Sequence, residues 1–250
     1  MNPSAISTKS KGLLWPKLIS GTLIKRYKRF MVDVRLKNGD MVTAHCPNTG
    51  SMQECCESGR PVYLSHHDRP NRKLKYTWEL IEMPTSLVGI NTLVPNQLVF
   101  QSVEAEIIED LKCYNDIVKE IKTGPNSRLD LLLTRNNNEQ CFVEIKNCTL
   151  VKDGVAFFPD AVTQRGRKHL IELQKLVDSG NRCVMLYLIQ RMDANAFKPA
   201  YHIDPAYGLE LKHAVNKGVE LLAYDVYIDL EMISLNRKLP IHIDDDLRIE

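Results

Sequence analysis

The fold of this chain is decided by residues 129–146, in which the apolar runs LDLLLT (129–134) and CFVEIK (141–146) flank the asparagines NNN (136–138). Runs of this kind predict two strands, and the asparagines predict a hairpin turn between them. Centring the hairpin on residue 137 pairs residue 131 with 143, 129 with 145 and 130 with 144. Alternation then gives one apolar face, made of Leu129, Leu131, Leu133, Val143 and Ile145. The opposite face holds Asp130, Glu144 and Lys146.

Two carboxylates that face each other across a hairpin repel unless a cation lies between them. A divalent ion that prefers oxygen ligands, Mg²⁺ or Mn²⁺, would relieve the repulsion between Asp130 and Glu144. Lys146 could then orient a water molecule or steady a phosphate. The D…ExK spacing is typical of metal-dependent nucleases of the PD-(D/E)XK type. The alternative is a solvated face, because any amphipathic hairpin can carry these residue types on its wet side.

The composition indicates a folded protein from a reducing compartment. The 250 residues, 44% of them hydrophobic, allow one large or two ordinary domains and exclude the disordered class. No apolar run reaches the length of a membrane span, so no membrane partner is expected. Seven cysteines without a CxxC motif indicate neither a disulfide framework nor a zinc site. Reduced thiols predict a cytoplasmic location.

Charge is divided unevenly along the chain. Residues 1–90 hold 14 lysines and arginines against 7 acidic residues, whereas the remainder holds 19 against 24. A basic part followed by a slightly acidic part suggests two units with different partners, although surface charge drifts along many chains. We expect an N-terminal unit of residues 1–87 and a C-terminal unit of residues 88–250.

Short strands and turns fill the N-terminal unit. The segment 21–36 opens a β region, and Asn38-Gly39 is a strong hairpin signal that leads into residues 41–46. Further strands are predicted at 61–64 and 76–80, with no convincing long helix between them. The pattern favours a small all-β barrel, with an OB-like barrel as one candidate.

A basic and aromatic segment, KRYKRF (25–30), lies inside this β region. Because cations hold phosphates and rings stack on bases, the segment suits DNA or RNA, with candidate contacts at Lys25, Arg26, Lys28 and Arg29. Alternatively, Tyr27 and Phe30 are core residues and the cations are merely solvated. The segment HCPNTGSM (45–52) predicts a structured turn and identifies no ligand.

Helices and strands alternate in the C-terminal unit. Helices are predicted at 95–114, 162–179 and 206–217, and strands at 129–134, 141–146, 184–189 and 219–224, with residues 150–155 extending the same sheet. Asp160 or Thr163 is expected to cap the second helix, and Gly180 and Gly218 to end the last two. The order αβββαβαβ favours an α/β fold with a mixed sheet.

Cations crowd the first turns of the helix predicted from residue 162. Arg165 and Lys168 share a face at three-residue spacing. Cations at a helix N-terminus oppose the helix dipole, and contact with a DNA phosphate would explain that cost. An ordinary wet helix face is the alternative.

These stretches together resemble the sugar fermentation stimulation protein (SfsA) family. The resemblance is carried by GTLIKRYKRF (21–30), HCPNTGSM (45–52), TWEL (77–80), SRLD (127–130), VEIK (143–146) and PDAVTQRGRKHL (159–170), and it extends from about residue 21 to residue 224. It implies an N-terminal OB-like barrel and a C-terminal PD-(D/E)XK nuclease-like domain. It places Asp130, Glu144 and Lys146 on the nuclease motif. It also implies DNA binding without marked sequence preference and a role in regulating sugar use.

Nucleases of this type often take a further acid from the first helix, which here is Glu104 or Glu106. Three functions are therefore open. The protein is a sequence-nonspecific DNA-binding protein with a nuclease-like metal site, an active Mg²⁺-dependent nuclease of DNA or RNA, or a regulator that kept the nuclease scaffold and lost cleavage.

Overall fold

The computed structural model describes residues 12–124 and 127–243. A short strand, β1 (Leu13–Leu14), comes first. Six strands of one sheet follow it: β2 (Leu18–Tyr27), β3 (Met31–Leu36), β4 (Met41–His45), β5 (Pro61–His66), β6 (Tyr76–Glu82) and β7 (Leu87–Gly89). The strands predicted for the N-terminal unit are all present.

Strands β2 to β6 close into a five-stranded barrel. They pair antiparallel in the order β4-β3-β2-β5-β6, and β4 then pairs parallel with β6, with Ala44 opposite Tyr76. This last pairing removes the open edges that a flat sheet would expose. Alternate side chains such as Val32, Val34 and Trp78 fill the interior and are fully buried. The predicted OB-like barrel is confirmed.

The rest of the chain contains helices and strands in alternation. The helices are α1 (Val94–Glu104), α2 (Gln164–Asp178) and α3 (Pro205–Asn216). The strands are β8 (Asp116–Gly124), β9 (Ser127–Thr134), β10 (Gln140–Cys148), β11 (Leu150–Lys152), β12 (Val155–Phe158), β13 (Arg182–Ile189), β14 (Ala196–Pro199), β15 (Glu220–Ile228) and β16 (Met232–Lys238). No helix within the two described ranges is long and apolar enough to cross a membrane.

A seven-stranded mixed sheet organises this part, in the order β1-β16-β15-β13-β10-β9-β8. Its central strands β10, β13 and β15 run parallel, and β13 is almost wholly apolar because both of its faces are covered. One core layer packs Leu98 of α1 against the sheet, and the other packs Leu170 of α2 and Leu211 of α3. The predicted mixed α/β fold is confirmed. Leu13, which lies before the barrel in sequence, pairs with Ile233 of β16 and so joins this sheet.

Residues 150–155 do not extend the main sheet, contrary to the prediction. Asp153 and Gly154 both have positive φ, at 51° and 75°, and this turn folds β11 back onto β12. β12 then pairs parallel with β14, which gives a separate three-stranded sheet. The local apolar pattern predicted the strands, whereas the turn decided which sheet they joined.

The first helix is shorter than predicted, because it ends at Glu104 rather than near residue 114. Glu106 adopts a left-handed φ of 53°, and its N–H and that of Ile107 donate to the carbonyls of Val103 and Ser102. This hydrogen-bond pattern is a Schellman motif, which usually has glycine at the left-handed position. The helix therefore ends without the residue that normally signals an end.

The second helix begins at Gln164 with Thr163 as its cap, whose Oγ1 accepts from the Gly166 N–H at 3.0 Å. Thr163 was one of the two predicted caps. Val162 precedes the helix and is 69% exposed, so the helix begins two residues later than predicted. The stops predicted for α2 and α3 at Gly180 and Gly218 are confirmed, with positive φ at both glycines.

The β9–β10 hairpin has the predicted register as far as Leu131. The ladder pairs Thr134 with Gln140 and ends with Leu131 opposite Val143, so its centre is residue 137. Beyond this point the Asp130 carboxylate accepts the Ile145 N–H at 2.7 Å. Leu129 then packs in the core layer beneath α2 and not with Leu131, which corrects the predicted single apolar face.

Candidate metal and nucleic-acid site

Asp130 lies where β9 and β10 separate. Its Oδ2 accepts the Ile145 N–H at 2.7 Å, and its Oδ1 accepts from Nδ2 of Asn96, in the first turn of α1, at 2.6 Å. Burial and, next, the negative charge of Glu144 raise the pKa of Asp130 to about 6, because they outweigh the Ile145 hydrogen bond and the Lys146 charge, which lower it. Glu144 is thus close enough to disfavour a second negative charge at Asp130.

Glu144, on β10, is only 2% exposed. Its Oε1 accepts from Lys146 Nζ at 2.5 Å and from Nδ1 of His169, on α2. Burial acts to raise the pKa of Glu144, but the His169 hydrogen bond and the Lys146 charge outweigh it and hold that pKa below its usual value. Its other oxygen, Oε2, is buried and has no hydrogen-bond partner among the described residues.

The two carboxylate oxygens of Glu144 differ in their hydrogen bonds. Both donors converge on Oε1, and Lys146 Nζ lies 3.2 Å from His169 Nδ1. A buried oxygen without a partner costs roughly 1–3 kcal/mol, so native proteins keep few of them. Oε2 has the donor chemistry and the vacant bonding capacity that a hard divalent cation requires.

Neither Glu104 nor Glu106 completes this site. The α1 residue beside Asp130 is Asn96, and Glu104 lies eight residues further along the helix, about 12 Å away by the rise of an α-helix. Glu104 and Glu106 instead line a separate cavity with Asp116. Within residues 12–124 and 127–243, no group of three or more His, Cys, Asp or Glu side chains is arranged to hold a metal. The candidate site therefore supplies two carboxylates and no third acid from that helix.

A basic groove of about 580 Å³ is lined in part by His169, the hydrogen-bond partner of Glu144. The predicted DNA contacts Arg165 and Lys168 both line it, at the exposed start of α2. Lys122 and Arg128 contribute from β8 and β9, although Arg128 also pairs with Glu120 at 2.7 Å. The groove gathers cations from three elements around one side of the candidate site.

An interdomain cavity of about 450 Å³ lies on the other side of Lys146. The barrel contributes Arg29 and the loop 48–50, and the opposite wall is the segment 157–163 before α2. Arg165 lines both the interdomain cavity and the basic groove. The two cavities thus meet at the N-terminus of α2, next to Lys146.

Arg26 does not point to either cavity, contrary to its predicted role at a phosphate. Its guanidinium donates to the carbonyls of Asn48 and Gly50, each at 2.9 Å, and more weakly to that of Ser51. It therefore supports the 45–52 loop. Lys25 lies with its Nζ 5.4 Å above the Tyr27 ring, and Lys28 is exposed at the tip of the β2–β3 hairpin.

Two family models match the chain. The SfsA N-terminal OB domain matches residues 24–90, and the sugar fermentation stimulation protein RE domain matches residues 93–232. The chain belongs to the SfsA family. Sugar fermentation stimulation protein homologs include one from Geotalea daltonii, 49% identical over 228 residues, which are 91% of this chain and 98% of that protein. A homolog from Geobacter sulfurreducens is 50% identical over 224 residues, 90% of this chain and 96% of that protein.

A solved SfsA structure has the same fold over nearly its whole length. The Pyrococcus furiosus SfsA structure, in complex with Ca²⁺, matches with a TM-score of 0.85 at 28% identity. The match covers 92% of this chain and 98% of the P. furiosus chain. This chain thus shares both the barrel and the mixed-sheet domain with P. furiosus SfsA.

Sequence reasoning missed two side chains at this SfsA site, Asn96 and His169. His169 stands in the run RGRKH (165–169), which suggested a solvated basic face. It is nevertheless only 6% exposed, on the helix face that buries Leu170 and Leu173. Its spacing of four from Leu173 is the signal that could have found it. Asn96 gave no comparable signal.

Proposed function

We propose that this SfsA protein binds DNA largely without sequence preference and holds Mg²⁺ or Mn²⁺ at Asp130 and Glu144. The observation that carries the proposal is the Oε2 atom of buried Glu144, which has no partner among the described residues and lies on the strand whose Lys146 lines the interdomain cavity. A part in regulating sugar use belongs to the proposal through the family's name alone.

The metal part of the proposal is supported by the chemistry of the two carboxylates. Asp130 and Glu144 would each offer a hard oxygen ligand, and an ion between them would relieve the repulsion that raises the pKa of Asp130. The P. furiosus relative is described as a complex with Ca²⁺, which has the same preference for oxygen ligands. Asp130 and Glu144 therefore fit a divalent ion.

The DNA part is supported by the position of the cations. Arg165, Lys168 and Lys122 border the basic groove, and Arg29 lies across the interdomain cavity. Contacts to phosphates fix a duplex in place without reading its bases, so binding would depend little on sequence. RNA offers the same phosphates and is the comparison ligand.

A salt titration of binding tests the DNA part. A fluorescent duplex of random sequence is titrated at several salt concentrations, with an RNA duplex alongside. The expected affinity falls linearly on logarithmic axes, with a slope of about −0.9 for each phosphate neutralised. Undetectable or salt-insensitive binding would overturn the proposal. Calorimetry with Mn²⁺ tests the metal part, with Asp130→Asn as the variant that should lose heat of binding.

Hydrolysis of phosphodiester bonds is the second candidate, and the position of Lys146 favours it. Lys146 contacts the Glu144 carboxylate and also lines the interdomain cavity. Its ammonium group is placed to stabilise developing charge on a phosphate or to orient water. A bound divalent ion would polarise the phosphoryl group.

The hydrolysis test is incubation of single- and double-stranded DNA and RNA with Mg²⁺ or Mn²⁺. Cleavage that disappears in Asp130→Asn and in Lys146→Met supports the nuclease. Cleavage that survives Asp130→Asn shows that the site is misassigned. Metal binding without any cleavage would indicate the regulator that kept the scaffold.

A further inference from the structure

The interdomain cavity is lined by neither Asp130 nor Glu144, yet Lys146, which contacts Glu144, forms part of its wall. Building on the proposed function, we propose that this cavity receives one unstacked nucleotide from a single-stranded stretch of DNA whose backbone continues into the basic groove. The substrate class is then DNA with unpaired nucleotides, such as single strands, flaps and frayed ends. The proposal rests on the size of the cavity, its lining, its preformed wall and its position.

The size of the cavity suits a single nucleotide and excludes a duplex. Its volume of about 450 Å³ lies in the range of small-molecule sites, about 300–1,000 Å³. It is an open cleft between the barrel loop 48–50 and the segment 157–163. A duplex is wider than its major groove, which alone is about 12 Å wide, whereas a cavity of about 450 Å³ is only roughly 8 Å across, so paired bases cannot enter it together. A base must leave the stack to reach a cavity of this kind.

The lining combines charged groups with neutral ones. Its cations are Arg29, Lys146 and Arg165, which suit phosphates. Hydroxyl and amide groups suited to base edges and sugar come from Asn48, Thr49, Thr92, Asn147 and Thr163. The half-buried rings of Phe157 and Phe158 also line the cavity and offer surface for the face of a base. A nucleotide requires all three kinds of surface.

Among the described residues that line the cavity, Asp160 is the one acidic residue. Its carboxylate bonds to the barrel loop. Its Oδ2 accepts the Met52 N–H at 2.9 Å, and Ser51 Oγ donates to its backbone carbonyl at 2.5 Å. A Cβ atom on Gly50 would come within 2.6 Å of Oδ2, so only glycine allows this approach. The negative charge therefore serves the contact between the domains.

The barrel wall of the cavity is held in place before any ligand arrives. Asn48 Oδ1 accepts the Gly50 N–H at 2.9 Å, Arg26 binds the loop carbonyls from behind, and Asp160 holds the loop from the other domain. A preformed wall lowers the ordering cost of binding. The segment 45–52 thus has a purpose that the sequence alone did not identify.

The position of the cavity decides which phosphate is presented to the candidate site. Lys146 lines the cavity and contacts Glu144, and Arg165 is shared with the basic groove. A nucleotide in the cavity would therefore place its own phosphate near Lys146 and its neighbours along the groove. Paired DNA would bind the groove and leave the cavity empty.

A tryptophan at residue 49 tests the proposal by filling the cavity. Thr49 is exposed and lines it, so Thr49→Trp should fold normally. Thr22→Trp is the matched control, because Thr22 is an exposed barrel threonine outside the cavity lining. Affinities for one oligonucleotide are measured as a single strand and as a duplex. We expect Thr49→Trp to lower the ratio of single-strand to duplex affinity about tenfold, the scale of one lost stacked base, and Thr22→Trp to leave it unchanged.

The outcomes separate this inference from the proposed function. If the wild type binds DNA and Thr49→Trp has the wild-type ratio, the cavity inference fails while the proposed function stands. If the wild type binds neither form, both fail. If free deoxythymidine monophosphate binds the wild type as tightly as the oligonucleotide does, the cavity serves free nucleotides and the inference about DNA strands is wrong.

A cross-linking measurement on the wild type does not depend on any variant folding. A single strand containing 4-thiothymidine is bound and irradiated, and the cross-linked peptides are identified by mass spectrometry. Cross-links within residues 45–52 or 157–163 support the inference. Cross-links confined to the outer strands of the barrel overturn it.

Discussion

Among the described residues, the barrel and the mixed-sheet domain each bury one glutamate, and the two differ in how their oxygens are hydrogen-bonded. Glu79 of β6 is 4% exposed, with Oε1 bonded to Ser65 Oγ at 2.5 Å and Oε2 to Asn91 Nδ2 at 2.8 Å. Glu144 of β10 is 2% exposed, with its bonds gathered on Oε1 and its Oε2 unpartnered among the described residues. The two carboxylates are therefore equally buried, but only Glu79 has a hydrogen bond to each of its oxygens.

This difference distinguishes a charged group that only stabilises the fold from one that can still bind a ligand. When neutral donors bond both oxygens of a carboxylate, its hydrogen bonds are complete within the protein. A buried oxygen without a hydrogen bond, by contrast, requires an explanation. The arginines repeat the contrast. Arg26 in the barrel is occupied by loop carbonyls, whereas Arg165 is exposed at the junction of both cavities. The barrel arginine thus supports the loop beside the site, and the mixed-sheet domain supplies the carboxylate oxygen and the arginine that remain for a ligand.

Replacing each of the two buried glutamates by glutamine should give the largest effect and tests whether they have different roles. Glu144→Gln should weaken Mn²⁺ or Ca²⁺ binding by more than about hundredfold, because a direct ligand matters at least as much as its outer partners. Glu79→Gln should leave metal affinity unchanged while costing about 1–3 kcal/mol of stability, because its amide group must face a donor. Calorimetry and urea denaturation measure the two effects. Equal loss of metal affinity in both variants would remove the distinction.

The stability of the metal-free protein should depend on pH through Asp130. Its pKa rises from 3.8 to about 6 on folding, so the folded state binds that proton more tightly than the unfolded state. The resulting stability is fully present below about pH 4 and is lost as the pH rises through 6, by about 2–3 kcal/mol. Glu144, whose pKa is lowered, acts oppositely and only at lower pH.

Asp130→Asn isolates this effect. Urea denaturation from pH 4 to 8 should show the decline in the wild type and not in the variant. Millimolar Ca²⁺ should restore stability to the wild type at pH 8 and leave Asp130→Asn unaffected, because a ligand of the folded state stabilises it. Wild-type and variant curves that run parallel over this range would contradict the assigned pKa.

Arg26→Ala should lower the stability of the protein without changing its DNA binding, because Arg26 supports the 45–52 loop. Removing its guanidinium leaves the Gly50 carbonyl without its donor and the Asn48 carbonyl with only the weak donor Cys46 Sγ, at a cost of about 2 kcal/mol. The salt slope of duplex binding should stay the same, because Arg26 meets no phosphate. Arg29→Ala is the control, with unchanged stability and a slope reduced by about one. The reverse pattern would make Arg26 the DNA contact after all.

The sequence predicted most of the fold where local signals agreed with tertiary structure. Alternating apolar residues gave the hairpin centred on residue 137, and Gly180 and Gly218 gave two helix ends. The end of α1 escaped prediction because Glu106 occupies a left-handed position that usually holds glycine. Periodicity did not predict that the Asp130 side chain, rather than the β9 backbone, would accept the Ile145 N–H. It therefore did not predict that Leu129 would pack in the other core layer.

The candidate site was predictable only in the part that one hairpin carries. Asp130, Glu144 and Lys146 are close in sequence, so pairing alone predicted their proximity. His169 reaches Glu144 from 25 residues away through the packing of α2 on the sheet. The first-helix acid was predicted wrongly because the register of α1 against Asp130 depends on tertiary packing, which presents Asn96. Contacts between elements carried the information that the sequence pattern lacked.

The smallest expected effect comes from a single cation of the basic groove. Arg165→Ala should reduce the salt slope of DNA binding by about one and lower affinity less than about tenfold, equally for different sequences, because a phosphate contact carries no base information. Lys175→Ala is the matched control on the same helix, since Lys175 lies in its last turn and outside both cavities. Both variants remove one positive charge. An equal change in slope would mean that net charge attracts DNA, whereas a change confined to Arg165 would locate the backbone at the junction of the two cavities.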